Sequence, residues 1–318
     1  MARRLQEPSS ELSVSRNVHL YDDNGQILGG IYQNGSLTNR RLINMCPHIL
    51  VFTPPNTPWH IYILNNDGST GQQLPNDDTT LAAGRYIILG PKADAVPVTV
   101  SLNSDSYPRR ILSRMRSGAL TPRRSYFRAA VRLRDGRCMI SGMESPMVST
   151  GDFGAFEAAH IFPHARESDW KRLGFARSIT DNSPASRIGA SKIHSPQNGI
   201  LIFGGIHYLF DTFKISVNPD DNYIITSFLP DISYHLDGRT LDFRCRNPQD
   251  PNRVSDELLR WHFHTAVIAN MRGAALEPSW EMDFPDGDIM GEIMEGPDAA
   301  ERMEVELFHR LGPGEEAF

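Results

Sequence analysis

Two short segments constrain this chain more than anything else in it: E-A-A-H-I-F-P-H at 157–164 and S-P-Q-N-G-I-L-I-F-G-G-I-H-Y-L-F-D at 195–211. Around the first, Phe156, Ala158 and His160 alternate against Glu157, Ala159 and Ile161, the period of a strand, which is expected over 153–162. Pro163 stops it, because proline has no N–H to give to a ladder. In the second, 199–203 is an apolar run of strand length, Gly204-Gly205 marks a turn, and 206–213 opens a helix. The expected order is strand, loop, strand, turn, helix.

On that helix His207 and Asp211 are four residues apart, so both side chains leave one face about a turn from each other. An imidazole beside a carboxylate suits a divalent metal ion such as Mg²⁺, Mn²⁺ or Zn²⁺. His160, on the strand facing the helix, is then available as a general base, since an imidazole with an ordinary pKa of about 6.5 can take a proton from water. Asn198 carries both amide donor and acceptor, enough to hold the intervening loop and aim the histidine.

With its residues in this order the chain resembles the HNH endonucleases, whose ββα-metal motif is named for His, Asn and His. It is most similar to the subfamily common in fungi, which carries A-A-H-I before proline, then N-G-x-L, then H-x-x-F-D; here these stand at 158–161, 198–201 and 207–211. The resemblance spans about 137–217. It implies His160 as general base, Asn198 as the structural asparagine, and His207 with Asp211 as metal ligands. Two departures stand out. Many HNH enzymes place an Asp or His immediately before the base as a further ligand, where this chain has Ala159; Glu157, on the same strand face, is the candidate to replace it. The second is an insertion at 162–196 where compact members have a short connection, and a loop of that length is usually functional or disordered. His164 has no partner in the pattern and reads as a loop or substrate-facing residue.

The fold class expected is α+β. A β-rich N-terminal module fills 1–108, a basic linker 109–122, an HNH nuclease-like domain 123–275, and an acidic, partly helical segment 276–318. In the first module short apolar stretches at 18–21, 27–32, 49–52, 61–64, 85–89 and 96–102 alternate with turns such as D-D-N-G and N-N-D-G-S, and 37–46 adds a helix. It holds no cluster of His, Cys and carboxylates, so a scaffold or interaction role is expected. In the second domain a helix from Thr121-Pro122 to Gly136 feeds a first strand at 138–141. Strands at 215–217, 223–228 and 234–243 follow the motif, and a helix covers 256–271 with Leu259, Phe263, Val267 and Met271 on one stripe. His262 and His264 point to different faces of that helix, against a metal pair.

Charge is uneven along the chain. The net −6 conceals ten arginines against one acid, Asp135, between Arg109 and Arg137, and thirteen acids against Arg302 and Arg310 between Glu277 and Glu316. The first block suits a phosphate-binding face as well as a solvated one. Beside a nuclease motif it nominates Arg123, Arg124, Arg128, Arg132, Arg134 and Arg137 as nucleic-acid contacts, with Lys171 and Arg172 from the insertion. Trp170 and Phe175, interleaved with those charges, suit stacking on bases, although Trp170 can equally anchor a short helix. The acidic segment could cover the basic face, recruit a basic partner, or simply solvate the chain. Three cysteines, odd in number and widely spaced, offer neither a disulfide framework nor a zinc knuckle, and Cys138 reads as packing. No apolar run approaches about 18 residues, so no signal peptide or membrane span is expected, and the setting is intracellular, cytoplasmic or nuclear. The function expected is metal-dependent hydrolysis of phosphodiester bonds in DNA, with RNA left open. The alternative is an inactive HNH fold serving as a nucleic-acid or protein interaction module.

Overall fold

A computed structural model describes residues 5–8, 15–101, 122–145, 148 and 151–273. The expected linker, apart from Pro122, and the acidic segment at 276–318 lie outside the described residues, as do Arg109, Arg110, Arg114 and Arg116.

The first half is built on a five-stranded sheet. Its strands are β1 (Val18–Tyr21), β2 (Ile27–Ile31), β4 (His60–Leu64), β5 (Thr70–Gln73) and β6 (Gly84–Leu89), in the order β2-β1-β6-β4-β5. The pair β1 and β6 runs parallel and the other pairs antiparallel. Helix α1 (Asn39–Ile49) starts where the Thr38 side chain accepts from the Arg41 backbone N–H, and a separate pair joins β3 (Leu50–Phe52) to β7 (Val98–Val100). Strand β5, T-G-Q-Q, has no apolar alternation to reveal it; it is an edge strand without a buried residue.

In the second half, α2 (Pro122–Asp135) packs across β8 (Phe156–His160) and β9 (Gly199–Phe203), which pair antiparallel with Ala158 opposite Leu201 and His160 opposite Gly199. Between the two strands the insertion forms α3 (Glu167–Leu173) and α4 (Ala185–Ile188). The chain leaves β9 directly into α5 (Gly204–Asp211), which packs back on both strands, and then forms the hairpin of β10 (Ile215–Asn218) and β11 (Ile224–Ser227). Short α6 (Phe243–Arg246) and long α7 (Asp256–Met271) follow.

Two expected strands are corrected. Residues 138–141 form a turn, closed by Gly142 N–H donating to Cys138 O, with Gly142 at φ +74°. Cys138, Met139 and Ile140 are buried in succession rather than in alternation, which a one-faced strand does not allow. Residues 234–243 contribute one bridge, Thr240 to Ile224, before Asp242 caps α6 by accepting from the Arg244 N–H.

The apolar core is divided and α7 links its parts. Leu258 and Leu259 belong to the cluster around β8, β9 and α5, whereas Phe263, Ala266, Val267, Ile268 and Met271 belong to that of the N-terminal sheet. His48 of α1 and His264 of α7 share a hydrogen bond between their Nδ1 atoms at 2.7 Å. Arg16 donates to the carbonyls of Asn270 and Gly273, 2.6 Å each, and holds the end of the helix. Gly29 lies so close that a Cβ there would sit 2.4 Å from Met271 O. Among the described residues no helix is long and apolar enough to cross a membrane.

Candidate active site

Asn198 fixes the frame. It is fully buried just before β9; its Oδ1 accepts from Phe162 N–H at 2.8 Å, and its Nδ2 donates to the carbonyls of Phe162 (3.0 Å) and Ile193 (2.9 Å). Both ends of the insertion are thereby tied to the start of β9. The insertion is ordered around Trp170, which is fully buried against Phe162 and Phe175 and donates Nε1–H to Ser191 O at 2.8 Å. Trp170 is therefore an anchor and not a platform for bases.

One cluster forms where α5 meets β8. Nδ1 of His207 donates to the Glu157 carboxylate, and Nε2 lies 3.2 Å from Oδ2 of Asp211. That second pair attracts without aligning as a hydrogen bond, and Nε2 is buried with no hydrogen-bond partner. Burial alone would lower the His207 pKa; Asp211 and then Glu157 outweigh it and hold it up at about 10. Two carboxylates around one imidazole make a site that demands positive charge. A divalent ion fits it, because two donors each about 2.1 Å from an ion stand about 3 Å apart, the spacing of Nε2 and Oδ2 here. Glu157 occupies the opposite ring nitrogen, so it does not converge with them, and among the described residues no three His, Cys, Asp or Glu side chains form a ready metal cage.

A second cluster surrounds His160, at the end of β8. Its ring lies flat on Phe127 of α2, centroids 3.9 Å apart and planes within 6°. The rings of His164 and His194 are 5.0 and 5.5 Å away, and 5.9 Å from each other. Arg124 Nη2 lies 3.0 Å from His164 Nε2. His160 is 4% exposed and its Nε2 is buried with no hydrogen-bond partner. Burial first, then the positive potential of His164, His194 and Arg124, pull its pKa well below the ordinary imidazole value, so the ring is neutral near pH 7. Residues 157 and 160 have opposite parity on the strand, so Glu157 meets α5 while His160 meets α2. The structure thus brings together Glu157, His207 and Asp211 and sets His160 in a separate group, on which the His207 charge still acts. His194 escaped sequence reasoning, since nothing local marks a histidine at the far end of an insertion.

The basic residues divide by what they already hold. Arg134 is corrected as a nucleic-acid contact: its side chain is 2% exposed and donates to Asp135 and to the carbonyls of Pro196, Gly199 and Asn252. Asp135 in turn accepts from Leu201 N–H, which fastens the end of α2 to β9. Arg137 is held by Asp242 at 2.6 Å and Arg132 lies over the Phe153 ring. Lys171 and Arg172 make exposed pairs with Glu167 and Asp169, Arg123 is exposed, and Arg124 and Arg128 are half-buried.

An antiparallel strand pair leading directly into a helix that carries a His–Asp pair, with a histidine ending the first strand, is the order that the resemblance to the ββα motif implies. Residues 138–218 match the family model described as HNH endonuclease. The match suggests a nuclease-type function on nucleic acid, in a family that generally uses divalent metals. Residues 15–93 match a domain of unknown function, DUF8573. No curated protein and no solved structure matches the chain.

Proposed function

We propose that the chain is a metal-dependent HNH endonuclease that hydrolyses phosphodiester bonds in DNA. The observation that carries this reading is the buried Nε2 of His207, without a hydrogen-bond partner and 3.2 Å from the Asp211 carboxylate. His207 and Asp211 would hold a divalent ion, whose chemistry when bound is to offset charge on the phosphate and the departing oxygen. Glu157 then holds Nδ1–H on the other side of the ring, so that an ion displacing the Nε2 proton would meet the Nε2 lone pair, rather than acting as the further ligand its position suggested. His160, neutral near pH 7, takes the proton of the attacking water at Nε2, with Phe127 holding the ring plane. Asn198 keeps the strand ends in register, and Arg123, Arg124 and Arg128 hold the backbone.

One observation favours the second reading, an inactive HNH fold that binds nucleic acid or protein: Nε2 of His160 is closed off from solvent in this conformation. The catalytic reading requires His164 and His194 to shift when substrate arrives. His160→Ala separates the two. Removing a positioned general base lowers the cleavage rate by about two to four orders of magnitude and leaves DNA affinity nearly unchanged. Wild-type protein that binds DNA and cuts none with Mg²⁺, Mn²⁺ or Zn²⁺ makes the interaction module the correct reading.

A further inference from the structure

We propose that His262 is a positioning residue for the candidate metal centre: from α7 it fixes the last turn of α5, and with it the place of Asp211. This rests on reading His207 and Asp211 as metal ligands, and it gives a role to a histidine outside the residues 138–218 that match the family model. His262 is 2% exposed, and its ring lies flat on that of Phe210, centroids 3.8 Å apart and planes within 9°. Phe210 follows His207 by three residues on α5 and immediately precedes Asp211.

The hydrogen-bond chemistry admits one arrangement of the ring. A carbonyl only accepts, so Nε2 of His262 carries the proton and donates to Phe210 O at 3.1 Å, which leaves the Nδ1 lone pair to accept from Ser216 Oγ–H across 2.7 Å. Ser216 is fully buried on β10, so the ring ties α5, β10 and α7 together at one point. Burial, opposed in part by the bond to Phe210 O, brings the His262 pKa down to about 3, and the ring keeps this neutral form near pH 7. The last carbonyls of a helix lack partners within it, and here the chain also turns sharply: Phe213 is at φ +60° and its N–H returns to Phe210 O at 2.9 Å. Asn270, about two turns further along α7, donates to Phe213 O at 2.8 Å. Helix α7 thus grips the exit of α5 at two places, and His262 is the grip beside a candidate ligand. An ion between Nε2 of His207 and Oδ2 of Asp211 needs both side chains in a fixed relation, so the turn that joins them must stay closed.

The test uses the full chain and two readouts that need no cleavage: amide hydrogen exchange in EDTA, and calorimetric titration with Mn²⁺ alone. His262→Phe keeps a stacked ring and removes both hydrogen bonds. His262→Gln keeps an N–H donor. Val267→Ala, further along α7 in the N-terminal core, lowers stability without touching α5 and serves as the control. In His262→Phe the Phe213 N–H should exchange about tenfold faster, as expected when one bond of a local opening is lost, and Mn²⁺ affinity should fall by about tenfold, the lower end for losing a support outside the ligands. His262→Gln should recover part of both, and Val267→Ala should leave Mn²⁺ affinity as in wild type. If the phenylalanine variant does not fold, Ser216→Ala makes the same comparison with a smaller loss. Unchanged exchange, faster exchange with unchanged Mn²⁺ affinity, or an equal fall of affinity in Val267→Ala would each overturn the proposal. Wild type that binds no Mn²⁺ would remove the metal reading, and exchange alone would then decide whether His262 holds the turn that carries Asp211.

Discussion

Nε2 of His207 and the carboxylate of Asp211 stand 3.2 Å apart, and Glu157 holds the other ring nitrogen. If Glu157 orients rather than ligates, Glu157→Gln keeps the shape of the side chain but weakens its hold on Nδ1–H. The metal concentration for half-maximal cleavage should rise by about tenfold to a hundredfold, the usual cost of losing such a partner, with little change in rate at saturating metal. A metal titration of cleavage rate checks this, and an unchanged midpoint would deprive Glu157 of the role. His160 sets the pH dependence. The base works deprotonated, and burial together with His164, His194 and Arg124 places its pKa below the ordinary value, so activity persists as pH falls past the usual imidazole midpoint. The acid limb of kcat/KM, which reports the free enzyme, should therefore lie below about pH 6.5; a limb above that value would mean that another group is being titrated. At this scale His207 and Asp211 were legible because helical spacing is local information. His194 was not, since only the tertiary path of the insertion brings it to His160. Arg134 was misread because sequence shows a charge but not whether carbonyls already surround it.

Asn198 shows how elements rather than residues make the site. One amide satisfies the N–H and C=O of Phe162 and the C=O of Ile193, all within the buried junction of β8, the insertion and β9. Asn198→Ala leaves these groups without partners, at about 1–3 kcal/mol for each buried group, so the folded state should lose about 3 kcal/mol or more. Chemical denaturation measures it, and a loss under about 1 kcal/mol would mean that water or a shifted loop replaces the amide. The strand–strand–helix order was legible because apolar runs and a proline stop have a direct backbone meaning, whereas Gly204-Gly205, expected as a turn, instead begins α5. The turn at 138–141 was read as a strand because a short apolar run in the sequence does not show whether its side chains will alternate between faces. The order of the insertion depends on Trp170 finding Ser191 O and the ring of Phe162, a long-range fit that composition does not announce.

Over the whole molecule, α7 is shared. Leu258 and Leu259 support the β8–β9 core while Phe263 to Met271 complete the N-terminal core, and fully buried His262 stacks on Phe210, which lies between His207 and Asp211 on α5. The sheet matched as a domain of unknown function is thus joined through one helix to the element that carries the candidate ligands. The apolar stripe of α7, Leu259, Phe263, Val267 and Met271, was legible in the sequence; that its two ends serve different cores was not, because periodicity marks a buried face without saying what covers it. The central claim is that this joined structure cuts DNA with an ion held by His207 and Asp211. Its most direct measurement is plasmid cleavage by the full chain in Mg²⁺, Mn²⁺ or Zn²⁺ against EDTA, for wild type and for Asp211→Ala. The account predicts nicking and linearisation by wild type with at least one metal, none in EDTA, and a large loss in Asp211→Ala that added metal partly restores. Cleavage that survives EDTA, or that Asp211→Ala retains in full, would contradict it.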